Sequence, residues 1–470
     1  MGEKKSLNKA LFKKIPNRFF MLRITCPNNN VPERTYIIKV LLNELLGCGV
    51  SQNEIQFDDS VSDYLICCNE KTIIVEDHFF NKYPQPLSYI NKNNLPKSLE
   101  YFHGLGLNTP IIYGVDKFET KDGCITVGLD VFASSFFMLT RWEESLYGRE
   151  EKGDCEENEL FCVKHHIHNC PIVHEYEKLL RQLLLGSLIA NREYKVVLTH
   201  DVDAINTPTW AQIVKCVIRN KHISSLTYNP TLTWKDVLSY KFRFPNVYSQ
   251  TKLYVELAKK YHLPEWFYLK VCSKGERGYT YDYRHQHTKE YVNKLSKEVG
   301  GDIVLGFHPS QLTFNNSEQW KKEVDRINSL LHYKPRIGRN HHLLYNDETL
   351  RNWSVLNEQT LENTVLISNC VFHKHIGFRS GIAVPYPVFD TIERKQLNLI
   401  EYPCVIMDTA LIRSDYVHGY DAWDEIASVI NEVKNNNGVL LLTWHILIRE
   451  VKLFDEYFQL CENTIKCATK

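Results

Sequence analysis

The chain has no surplus of either charge: 56 Lys and Arg stand against 56 Asp and Glu, a formal net charge of zero. A nucleic-acid binder usually shows a basic surplus, so no nucleic-acid partner is expected. Nor is there a run of the roughly 18 apolar residues that a membrane span needs. The most apolar stretch, 439–448, is short and holds Thr443, Trp444 and His445. The opening MGEKKSLNKALFKK is charged with no apolar core behind it, unlike a secretory signal, and a cytoplasmic location is expected. No internal repeat at a fixed period is visible. The 14 Cys are mostly scattered, which suits a reducing compartment. One group, Cys155, Cys162, His165, His166, His168, Cys170 and His174, lacks the close Cys pairs of structural zinc sites and reads as an exposed linker that holds thiols.

What is present is an ordinary globular composition, 43% hydrophobic, 12% aromatic and 24% charged. At about 150 residues per domain, 470 residues make two or three folding units. Residues 1–148 read as an α/β domain, with helical spacing over 36–46 and 132–142 and a strand pair at 64–68 and 72–75. The charged REEKGDCEENE at 149–159 opens a linker that runs with a Leu-rich helix to 193. From 194 to 470 short apolar runs alternate with helical segments, the pattern of a parallel sheet.

Those runs share one property: each ends in a chemically capable residue. They are KVVLTHDVD at 195–203, DIVLGFHPS at 302–310, IGFRSG at 376–381, CVIMD at 404–408 and GVLLLTWH at 438–445, with 266–271 and 336–342 as two further strands. Functional groups at the C-terminal ends of strands point to a barrel-type active site assembled from distant segments. Asp201 and Asp203, one residue apart at a strand end, leave an extended backbone on the same face. Two carboxylates that close need a neutralising cation or Arg. His308, His341 and His342 supply imidazoles, and a carboxylate with two His is a metal site with open positions. Taken singly, Arg379 reads equally well as a structural ion-pair donor, and His445 as a core histidine beside Trp444.

In chain order, THDVD (199–203), GFHPS (306–310), RNHHL (339–343), GFRSGIAVPYPVFD (377–390), EYPCVIMDTAL (401–411) and LLLTWH (440–445) resemble the polysaccharide deacetylase family, the NodB-homology or carbohydrate esterase family 4-like proteins. LDVFASSFFMLTRWEE at 129–144 resembles an uncharacterised domain that precedes such domains in some bacterial proteins. The resemblance implies an α/β fold, a distorted (β/α) barrel behind a smaller N-terminal α/β domain. It implies a hydrolase that removes acetyl groups from an acetylated glycan by cleaving carbon–nitrogen amide bonds, with a divalent metal, usually zinc. Position by position it makes Asp201 the base, Asp203 and His308 metal ligands, Arg379 the residue that orients Asp201, and His445 the general acid. Asp408 would hold His445 in its working tautomer. The first motif departs from the family's T-F-D-D-G, which leaves the roles of Asp201 and Asp203 exchangeable. Leu312 stands where the second metal His belongs, and His341 is the expected substitute.

Two other readings compete. A glycosidase would need its carboxylates about 5–9.5 Å apart across the scissile bond, whereas Asp201 and Asp203 sit on one side. A deacetylase-like module that binds glycan or protein without catalysis is kept open by Leu312.

Overall fold

The computed structural model describes residues 22–470 except 70, 148–156, 204, 206–213, 215–237, 240–241, 245, 274, 277–281, 299–302, 345, 357–363, 414–421 and 447–453. Most of the expected linker at 149–159 lies outside the described residues. The chain is mixed α/β and divides into two compact units, Met1–Lys195 with Cys370–Val405 and Asn431–Val439, and Val196–Asn369 with Ile406–Ile430 and Leu440–Lys470. This differs from the boundary expected at 149–193. The helix Ile172–Leu185 belongs to the first unit, and so do two segments of the expected barrel.

The first unit is built on a six-stranded sheet in the order Ile55–Phe57, Leu22–Cys26, Tyr64–Cys68, Lys71–Val75, Cys124–Leu129, Gly114–Lys121. The helix Val131–Thr140 is buried along nearly its whole length, as its run of apolar residues requires, and its first turn is capped by Asp130, which accepts from Ala133 N at 3.0 Å. It stops at Arg141, whose φ of 51° is left-handed, two residues before the end expected from periodicity. The residues after 160 are no exposed linker: Cys162 and His174 are buried in this unit. His174 Nε2 accepts from Ala383 N at 3.1 Å, and Val173 N donates to Gly381 O at 2.8 Å, so the segment 370–405 is tied in through its backbone.

The second unit holds a row of strands in the order Val365–Ile367, Ile337–Gly338, Ile303–Phe307, Glu265–Leu269, Lys195–Val202, Val439–Thr443, Cys404–Met407. The strands from Lys195–Val202 to Val365–Ile367 pair in parallel, and their residues are buried on both faces. That is why these strands read as continuous apolar runs rather than alternating ones. Among the described residues the row is open, with no pairing that closes it, so the sheet is established and a closed (β/α) barrel is not. The helices Val247–Lys260, Gln286–Glu298, Ser317–Leu331 and Ala422–Asn435 fall where helical spacing predicts them. Among the described residues no helix is long and apolar enough to cross a membrane.

Register places the chemistry. Val202 pairs with Leu269, Leu269 with Phe307, Phe307 with Gly338, and Gly338 with Ile367. The next residue on each strand is therefore Asp203, Lys270, His308, Arg339 and Ser368, one aligned row of polar groups past the apolar ladder. Gly338 is required there, since a Cβ would lie 2.2 Å from the Trp353 ring.

Candidate metal centre and active site

Three donor atoms, two from strand ends and one from a short turn, converge in the second unit. His308 Nε2 lies 3.2 Å from Asp203 Oδ1 and 3.2 Å from His341 Nδ1, and His341 Nδ1 lies 3.1 Å from Asp203 Oδ1. Among the described residues this is the one group of three or more His, Cys, Asp or Glu able to hold a metal ion. Burial works against charge on Asp203, yet the nearby His341 and Lys270 hold its carboxyl well below the usual carboxylate range. Burial also pushes His341 down to about 3, against the pull of Asp203, so this imidazole is neutral near pH 7.

The donor set fits a zinc ion. N and O ligands at about 2.0–2.2 Å from a tetrahedral zinc stand roughly 3.3 Å apart, close to the spacing of these three atoms. His308 Nδ1 is 2.7 Å from the carbonyl of Arg339, which can only accept, so Nδ1 carries the proton and Nε2 turns a lone pair toward Asp203. His341 is not on a strand as expected. It opens a short turn, His341–Leu343, whose backbone is fixed by His341 N donating to Pro309 O at 3.0 Å and by Asn340. His342 is exposed and takes a left-handed φ of 56°, and its ring centroid lies 4.0 Å from that of His341. Leu312 lies on the following short helix Gln311–Thr313, where its aliphatic side chain offers no ligand atom.

Beside the triad stand two supported groups. Asp201 is buried, and its Oδ1 accepts from Arg339 Nη1 at 3.0 Å. Burial would raise this carboxyl, but Arg339, His308 and His445 lower it below its ordinary value. His445 Nε2 lies 3.9 Å from Oδ2 of both Asp201 and Asp203. Its Nδ1 bonds Asp408 Oδ1 at 2.7 Å, and its backbone N–H bonds Asp408 Oδ2 at 2.5 Å. Tyr457 donates to the same carboxylate. Burial disfavours the imidazolium, but Asp408, Asp201 and Asp203 outweigh it and push His445 up to about 10. The result is a buried carboxylate and a protonated imidazole beside three atoms that could hold a metal ion.

Arg379 does not have the role expected of it. The guanidinium on Asp201 is that of Arg339, which also donates to Ser368 O at 2.7 Å and lies 5.1 Å from the centre of the Tyr268 ring. Arg379 belongs to the first unit, where it donates from Nε and Nη2 to Glu144 at 2.9 and 3.1 Å and from Nη1 to Glu157 at 3.2 Å. Its segment is a turn rather than a strand: Gly377 has a φ of 129°, and a Cβ there would lie 2.3 Å from His168 O. Three groups carried no expected role: Arg339, Lys270 and Tyr457. Lys270 follows an apolar run, so the rule that singled out His308 marks it as well, whereas Arg339 follows only Ile337–Gly338. Tyr457 sits on the helix Phe454–Ala468 and has no local signal. His200 of the first motif faces Glu265 at 2.9 Å and Trp444 O at 2.7 Å, a buried strand-to-strand tie.

Comparison with known proteins covers the chain in pieces. Residues 22–188 match a family model described as a family of unknown function, DUF7033. No curated protein matches the chain. A candidate polysaccharide deacetylase involved in O-antigen biosynthesis from Bordetella bronchiseptica is 11% identical, covering 58% of this chain and 82% of its own, with a TM-score of 0.29. A candidate polysaccharide deacetylase from Mycobacterium smegmatis is 12% identical, covering 57% of this chain and 83% of its own, with a TM-score of 0.35. Likenesses this weak leave the functional reading to the chain's own residues.

Proposed function

We propose that this chain is a metal-dependent hydrolase that removes acetyl groups from an acetylated sugar of a polysaccharide or glycan precursor. The observation that carries the reading is the convergence of Asp203, His308 and His341 beside Asp201, held by Arg339, and His445, held by Asp408. The motifs in which these residues lie, and their order along the chain, support the choice of substrate class.

Asp203, His308 and His341 would hold the ion, and a zinc ion there supplies Lewis acidity toward an acetyl carbonyl and its attacking water. The chain's own groups handle the protons. Asp201 is ionised, with one oxygen bound to Arg339 and the other turned toward His445. It accepts the proton of the attacking water. His445 is charged at neutral pH and donates from Nε2 to the leaving amine, which departs poorly without a proton. Asp408 occupies Nδ1, so the proton given up is always the one on Nε2.

Asp201→Asn tests the assignment. It should keep zinc while turnover falls about 10²- to 10⁴-fold, the usual cost of losing a general base. Loss of the metal in this variant, with retention in Asp203→Asn, exchanges the two roles.

A further inference from the structure

Both nitrogens of the His341 ring have polar neighbours. Nδ1 faces Asp203 and His308, and Nε2 lies 3.4 Å from Lys270 Nζ. Lys270 is the residue after the strand Glu265–Leu269, its side chain is 1% exposed, and its Nζ also lies 3.9 Å from Asp203 Oδ1. An ammonium carries donors and no acceptor, so this contact requires Nε2 to accept. The single proton of a neutral imidazole is then on Nδ1, the nitrogen turned toward the metal position. A ligating nitrogen must instead offer its lone pair, with the proton on the far side. The Lys270–His341 contact and coordination through Nδ1 are therefore alternative arrangements of one ring.

Charge acts in the same direction. A buried ammonium within 4 Å of Asp203 Oδ1 repels a divalent ion on the same carboxylate, and burial leaves that repulsion weakly screened. We propose that Lys270 is a built-in competitor for the metal position. In the metal-free chain it satisfies Asp203 and His341, and loading the ion requires it to release His341. Zinc affinity is thereby set below what the three ligands alone would give. The inference rests on the reading of Asp203, His308 and His341 as the ligand set.

The test is zinc titration of the full chain against a chromophoric chelator, for the wild type, Lys270→Met and Lys270→Gln, each checked for folding by thermal melting. Methionine keeps the length and apolar stem while removing charge and donors; glutamine removes the charge while its shorter side chain keeps an N–H donor. Both variants should bind one zinc at least about tenfold more tightly than the wild type, since a close like charge is gone. Equal or weaker binding in the folded variants overturns the role of Lys270 and leaves the metal site standing. Absence of zinc binding in the wild type and both variants overturns the ligand set, and the inference with it.

Discussion

Arg339 Nη1 donates to Asp201 Oδ1 at 3.0 Å, with the arginine side chain fully buried and the aspartate 6% exposed. Arg339 also holds Ser368 through its carbonyl and hydroxyl oxygens, so the guanidinium fixes Asp201 against a neighbouring strand end. Removing one partner of such a pair leaves a buried charge uncompensated. Arg339→Met should cost about 3–5 kcal/mol of stability. Zinc should still bind, because the Arg339 carbonyl that holds His308 is backbone. Denaturant unfolding and zinc titration check both halves. An unchanged stability would mean that the pair is not buried as described.

Substitution of the acid should depend on the leaving group. His445→Ala should slow amide substrates about 10²-fold or more and activated esters far less, since a good alkoxide leaves without a proton. The raised value near 10 sets the pH window: the charged imidazole adds stability fully below its unfolded value of about 6.5 and loses it as pH rises through 10. Equal losses on amide and ester substrates would return His445 to a packing role.

The two adjacent histidines should separate cleanly. His341→Ala should release the metal, leaving two protein ligands where a catalytic zinc site ordinarily has three. His342→Ala should retain it, because His342 is exposed beyond the left-handed turn. Metal content after dialysis reads both.

A piece from 196 onward should not fold by itself. It would carry residues 370–405 and 431–439 without the rest of their unit, leaving Arg379 without Glu144 and Glu157, and Ala383 without His174. Expression of 196–470 should give aggregated or protease-sensitive protein, in contrast to the full chain. A soluble, cooperative melt from that fragment would contradict the division into units.

Parts of this architecture were legible in the residues because of one physical fact. Parallel strands buried on both faces must be apolar until they reach the site, so THDVD and GFHPS announce both the strand and its functional end. The same reasoning misplaced Arg379, because IGFRSG also looks like an apolar run with a polar end. What distinguishes it is a left-handed glycine and a backbone close approach, which one chain's sequence does not display. The strand expected over 336–342 covers only Ile337–Gly338, and a turn beyond it brings His341 beside Asp203 and His308. The boundary between units was not legible at all. The chain returns twice to the first unit through segments whose composition matches that of their neighbours.

The central claim is tested most directly by acetate release from a panel of N-acetylated oligosaccharides, measured for zinc-loaded, chelated and zinc-restored protein. The loaded protein should release acetate from at least one substrate, lose this on chelation and recover it on restoring zinc, with release at least about 10²-fold lower from Asp201→Asn. A chain that binds one zinc tightly through Asp203, His308 and His341 yet frees no acetate from any of them would contradict it and favour the non-catalytic glycan-binding module.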